Sequence, residues 1–138
     1  MANHAIFWPM FVLVLFTFGI ALRMLMARRA AVKAGQVKLS HFRAFTEGTA
    51  PESMAKVGRA FANLAEVPPL FYAVCIIIMV LSRTDDLFVL LAWVYVACRV
   101  IQGLIHVTYN NVMHRALAYF ASWFVLLAMW IRLALQLA

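Results

Sequence analysis

Charge is scarce in this chain. Only 12% of its 138 residues are Asp, Glu, Lys or Arg, whereas 67% are apolar. That balance excludes an ordinary soluble domain and places the chain in the membrane class. Cysteine is nearly missing too. Cys75 and Cys98 stand far apart, with no C-x-x-C and no flanking His ligands. Both read as small apolar core residues, so a disulfide oxidoreductase, a haem protein and a metal centre find no support. Repeats and low-complexity tracts are absent as well.

What the chain does have is long apolar runs. A membrane-crossing helix needs about 20 mostly apolar residues. Four segments qualify: Ile6–Leu25, Phe61–Leu81, Leu87–Val107 and Ala116–Leu137. Together they use most of residues 1–138, which leaves one all-α domain, a four-helix transmembrane bundle. The first segment has no basic residue before it and no small-residue cleavage pattern after it. It is expected to be a retained span, not a signal peptide.

The formal net charge of +7 gathers beside the membrane. Arg28, Arg29, Lys33, Lys38, Arg43, Lys56 and Arg59 lie between spans one and two, against Glu47 and Glu52. The second connection holds Arg83 against Asp85 and Asp86, and the third adds His114 and Arg115. The positive-inside rule puts the 26–59 loop in the cytoplasm and both termini outside. Topology and anionic lipid account for the charge, so nucleic acid is not an expected partner. The lean helices and short turns suit a bacterial inner-membrane protein.

Local signals refine the spans. Helix one is expected to continue through Ala27–Ala34 and end at Gly35, followed by a basic loop over about 35–50. Thr49 is expected to cap helix two, with Pro51 in its first turn and Glu52 completing a capping box. Pro68-Pro69 removes two backbone donors and predicts a kink one turn past Glu66. Ser82–Asp86 and Asn110–Arg115 are tight turns, which makes consecutive helices antiparallel neighbours. Trp8, Trp93 and Trp130 read as interfacial anchors.

Two polar stripes interrupt the apolar runs. Arg59, Asn63 and Glu66 are spaced i, i+4, i+7, and Arg99, Gln102, His106 and Tyr109 are spaced i, i+3, i+7, i+10. Each set falls on one helix face. A charge at mid-bilayer costs at least roughly 2.5–3.5 kcal/mol, so such residues face a partner or a watery pocket. Antiparallel packing is expected to set Arg59 level with His106, Asn63 near Gln102, and Glu66 level with Arg99 in a buried pair. That pair alone could simply pin two helices. The cations exceed what Glu66 can neutralise, however, and the surplus calls for a small anionic ligand.

These residues resemble the MAPEG family, the membrane-associated proteins in eicosanoid and glutathione metabolism. Arg59-x-x-x-Asn63-x-x-Glu66 followed at once by prolines is similar to the family's second-helix signature. Arg99, with polar residues at 102 and 106 and Arg115 sixteen positions on, is similar to its third helix and the start of its fourth. Gly35-Gln36-Val37-Lys38 is similar to the stretch after its first helix. The resemblance implies a homotrimer of four-helix protomers that binds glutathione as cosubstrate in cytoplasm-facing clefts between subunits. Arg59, Asn63, Glu66 and Arg99 would hold the tripeptide, with Gln102 and Tyr109 beside them. Lys38 matches a basic residue supplied by a neighbouring subunit. Arg115 matches the arginine that stabilises the thiolate in transferase members.

Departures from the family pattern narrow the chemistry. Gln102 stands where His or Arg is frequent, His106 where Tyr is common, and Ala116 where some synthases carry a hydroxyl. Eicosanoid synthesis is therefore not expected. Thiol activation would rest on Arg115, with His106 as an acid or base near neutral pH. The expected function is a glutathione-dependent transferase or peroxidase acting on small lipophilic electrophiles. One rival is a non-catalytic family member that binds lipid or scaffolds a partner. Another is a small multidrug transporter built around Glu66, against which a neutralising Arg99 argues.

Overall fold

A computed structural model describes residues 4–44 and 51–138. Helix α1 covers Phe7–Lys33, α2 is the short turn His41–Ala44, α3 runs Glu52–Glu66 and α4 runs Pro68–Val80. Helix α5 covers Asp86–Val107 and α6 covers Val112–Leu137. Among the described residues four stretches are long and apolar enough to cross a membrane: α1, α3 with α4, α5 and α6. The chain is thus an all-helical bundle with four candidate spans. Helix α2 lies inside the stretch read from sequence as a basic loop.

The ends of these helices follow from local chemistry. Gly35 adopts φ +71, the left-handed conformation that ends α1. Its N–H reaches the Val32 carbonyl at 3.1 Å, and the Gln36 N–H reaches Ala31 at 3.0 Å, the paired bonds of a Schellman cap. Ser82, at φ 53, closes α4 in the same way. The Asp85 carboxylate accepts the Phe88 N–H at 2.8 Å and caps α5. Asn111 caps α6 by accepting the His114 N–H at 3.0 Å. The expected Thr49 cap lies outside the described residues. Pro51 is extended (φ −52, ψ 143) and precedes α3 instead of entering its first turn.

Helix α1 packs on α3 and α5, and α5 packs along α6. Leu13, Phe71, Val74, Ile78, Phe88, Ala92, Tyr95 and Met129 are fully enclosed between them. Close approach of α1 and α5 depends on Gly103, because an added Cβ would sit 2.7 Å from the Phe16 ring. At one end, the Lys56 ammonium donates to the Thr108 carbonyl at 3.3 Å and ties the start of α3 to the α5–α6 turn. At the other, the Asp85 carboxylate pairs with Arg132 of α6. The Arg132 guanidinium also lies 4.8 Å over the Phe88 ring.

Two tests follow. Gly103→Ala should destabilise the bundle by about 1–3 kcal/mol through overpacking, and Phe16→Leu should relieve the loss, read by thermal unfolding in detergent. The second concerns Asp85. Partial burial works against its charge, but the Phe88 N–H and Arg132 outweigh it and hold the carboxyl below its ordinary value. A folded-state pKa that is depressed stabilises the protein above the unfolded value and is lost as pH falls through the folded one. Thermal stability should therefore drop below about pH 4, and Asp85→Asn should remove that part of the drop.

Candidate functional site

The stripe on α5 is buried as a unit. Arg99, Gln102 and His106 are 1%, 4% and 3% exposed, and Tyr95, one turn before Arg99, is fully enclosed. At 100° per residue all four lie within about 60° of one another on the face turned into the bundle. Helix α3 meets this face through Asn63. The Asn63 Nδ2 lies 3.1 Å from His106 Nε2, and the Arg99 Nη2 donates to the Asn63 carbonyl at 2.6 Å.

This register corrects the expected pairing. Asn63 contacts both His106 and Arg99, and among the described residues Glu66 forms no ion pair with Arg99. The reason lies in the width of the α3 stripe. Arg59 and Glu66 project in nearly the same direction, whereas Asn63 is rotated about 60° from Glu66 toward α5. Asn63 is half-buried against α5; Arg59 and Glu66 are exposed. Pro68 and Pro69 then end α3 at Glu66, and the chain bends at Val67 (φ −96, ψ −45). Without that pair Arg99 does not neutralise Glu66 and no longer speaks against a transporter role. Arg59 and Arg115 are the cations that share space with Glu66.

That space is a cavity of about 390 Å³. Arg59, Asn63 and Glu66 line it from α3, Gln102 and His106 from α5, and Arg115 from α6. Val112, Ala116 and Phe120 of α6 form an apolar wall opposite. Phe120 and Val112 are 58% and 69% exposed, so this wall is continuous with the apolar outer surface. The Arg115 guanidinium is oriented by its bond to Asn110 Oδ1 at 2.5 Å. Asn110 can supply that bond because it takes the left-handed conformation, φ 53, in the turn.

Three predicted site residues do not line the cavity: Arg99, which is buried in the bundle beside Asn63, Tyr109 and Lys38. Tyr109 is 61% exposed and bonds through its hydroxyl to His114 Nδ1 at 2.9 Å, and it does not line the cavity. Helix α5 stops at Val107, so the helical spacing that placed Tyr109 on the stripe no longer applies. Lys38 is exposed beyond α1 and does not line the cavity of its own chain. Sequence reasoning missed Tyr119, which lines the cavity and lays its ring 5.8 Å from the Arg99 Cζ. Its signal was available, since Tyr119 is i+4 from Arg115 on the same helix face. Among the described residues no group of three His, Cys, Asp or Glu is placed to hold a metal ion.

Arg99 stands out energetically. Its Nε and Nη1 are buried with no hydrogen-bond partner among the described residues, as are His106 Nδ1 and the Tyr95 hydroxyl. A buried guanidinium facing an aromatic ring and one carbonyl is costly unless an anion completes its partners. Arg99→Met should therefore raise the stability of the ligand-free protein by about 1–3 kcal/mol. A fall in its unfolding midpoint would show instead that the Asn63 bond outweighs the burial cost.

The cavity thus brings together the Arg59 and Arg115 guanidinium groups, a carboxylate, an amide pair and an apolar opening, with Arg99 buried beside Asn63. Comparison with curated proteins and with solved structures gives no match. The model of the MAPEG family matches residues 6–135, which takes in every cavity-lining residue and nearly the whole chain, and the protein therefore belongs to the MAPEG family.

Proposed function

We propose that this protein is a glutathione-dependent membrane transferase or peroxidase acting on small lipophilic electrophiles. Family membership supports the choice of glutathione, and the composition of the cavity supports its fit. The tripeptide carries two carboxylates and one ammonium. Arg59 at the wall and the unsatisfied Arg99 buried nearby suit the carboxylates; Glu66 suits the ammonium. Asn63, Gln102 and His106 supply amide and imidazole groups for the peptide bonds. A volume of about 390 Å³ falls in the range of small-molecule sites, about 300–1,000 Å³. The observation that carries this reading is Arg99, a buried cation still lacking an anionic partner.

Arg115 is the residue assigned to activate the thiol. A free thiol has a pKa of about 8.5, and a guanidinium beside it favours the thiolate, the nucleophilic form. Arginine keeps its charge in such a site where lysine would not. The thiolate sulfur then forms a bond to the electrophilic carbon, and the displaced electron pair leaves with the leaving group or is protonated. His106, bonded to Asn63, is positioned as the acid or base for that proton. The apolar α6 wall around Phe120 suits an acceptor that arrives from lipid. In this reading the protein is a homotrimer in a bacterial inner membrane, with both termini outside and the site facing the cytoplasm. Lys38 would reach the cleft of a neighbouring copy.

A glutathione titration of detergent-purified protein tests this, with calorimetric heat and thiolate ultraviolet absorbance read together. Saturable binding with a thiolate signal is expected. Arg115→Ala should keep the binding, lose the thiolate signal and slow turnover by about 100-fold or more, as for removal of one charge-stabilising donor. Arg99→Met should instead weaken binding. Binding without thiolate would favour a non-catalytic lipid-binding or scaffolding role, and intact turnover in Arg115→Ala would sink the assignment.

A further inference from the structure

A second cavity, of about 470 Å³, lies against the last turns of α1 and shares no residue with the first. Leu25, Val32, Leu39 and Phe42 form its apolar floor, and Arg28, Arg29 and Lys33 form its rim. Leu25 and Val32 are i, i+7 and follow one line down the helix. Helix α1 has 27 residues, of which about 20 suffice to cross the hydrocarbon. Counted from Phe7, the helix leaves the apolar core near Met26, so this groove straddles the boundary between hydrocarbon and headgroups.

The far wall is built by the chain folding back. Helix α2 brings Phe42 against the small cluster of Ala31, Val37 and Met54, and the Arg28 guanidinium lies 5.5 Å over the Phe42 ring. Arg29 and Lys33 are exposed and stand one turn apart on the same face. Among the described residues no acidic side chain lines the groove.

We propose that this groove binds a single anionic phospholipid. The headgroup phosphate sits on Arg29 and Lys33, and an acyl chain follows Leu25 and Val32 into the bilayer. Charge complementarity selects an anionic headgroup over a zwitterionic one. The apolar floor, with Leu39 at 75% exposure, selects a lipid over a free phosphate, because water-exposed apolar surface of this kind gains from an acyl chain. The groove shares no residue with the glutathione cavity of its own chain, and of the residues assigned to glutathione Lys38 adjoins it, next to Leu39.

Native mass spectrometry of the full chain tests the proposal, with dioleoyl phosphatidylglycerol and dioleoyl phosphatidylcholine as probes and sodium phosphate as competitor. Phosphatidylglycerol should be retained in preference to phosphatidylcholine and should resist millimolar phosphate. Arg29→Gln with Lys33→Gln should weaken retention about 30-fold, the loss expected for two interfacial cations. Leu39→Ser, at an exposed position, should weaken it with the charge untouched. Equal retention of the two lipids, or unchanged retention in either variant, overturns the proposal. Displacement by phosphate overturns it as well and identifies a soluble phosphate compound as the ligand.

Discussion

The bundle is organised around a guanidinium that has been carried almost wholly out of solvent. Arg99 is 1% exposed, and its bond to the Asn63 carbonyl at 2.6 Å joins α5 to the end of α3. Tyr119 covers it from α6. Three of the four spans therefore converge on one charge, and α1 packs against the same region through Phe16 and Gly103. Irregular backbone at membrane depth is tolerated where neighbouring groups satisfy it. The proline break at Val67 lies four residues past Asn63, close to this charge. A cation kept there with two donors unsatisfied is a poor structural clamp, because its burial is only partly compensated.

The two ends of the molecule are held differently, which gives the site its asymmetry. At the end near the chain termini, Asp85 caps α5 and pairs with Arg132, a local and self-sufficient arrangement. At the other, the polar atoms of α3, α5 and the start of α6 leave a cavity between them, and Arg115 is aimed by a turn residue, Asn110. The α3 and α5 sides of the cavity are mostly polar, and the α6 side sets Arg115 and Tyr119 beside apolar Val112, Ala116 and Phe120. The proposed pairing of a water-soluble thiol with a lipid-soluble acceptor would use such a boundary, because neither phase alone dissolves both.

Much of this was legible in the residue order. Apolar runs of about 20 residues announce spans without any knowledge of their neighbours, because each helix satisfies its own backbone in lipid. Gly35 and the two prolines mark breaks through backbone chemistry alone. The polar residues at helical spacing pointed to the walls of the cavity, and Arg59, Asn63, Glu66, Gln102, His106 and Arg115 all line it. Tyr109 was misplaced because periodicity holds only while the helix does, and α5 stops two residues earlier.

Which groups touch was a different matter. Glu66 and Arg99 have opposite charges and matching depth, yet the α3 face turns Asn63, not Glu66, toward α5. The way a helix is turned about its own axis is invisible to residue spacing, since it is decided by how neighbouring side chains such as Phe16 and Gly103 pack. Tyr119 shares the helix face of Arg115, but its place over Arg99 comes from the packing of α6 against α5. The sequence by itself determined four apolar helices, their breaks and the residue types that line the cavity, because those depend on each segment's own hydrophobicity and backbone. The tertiary structure decided the partners, because partners depend on the rotation and register of one helix against another.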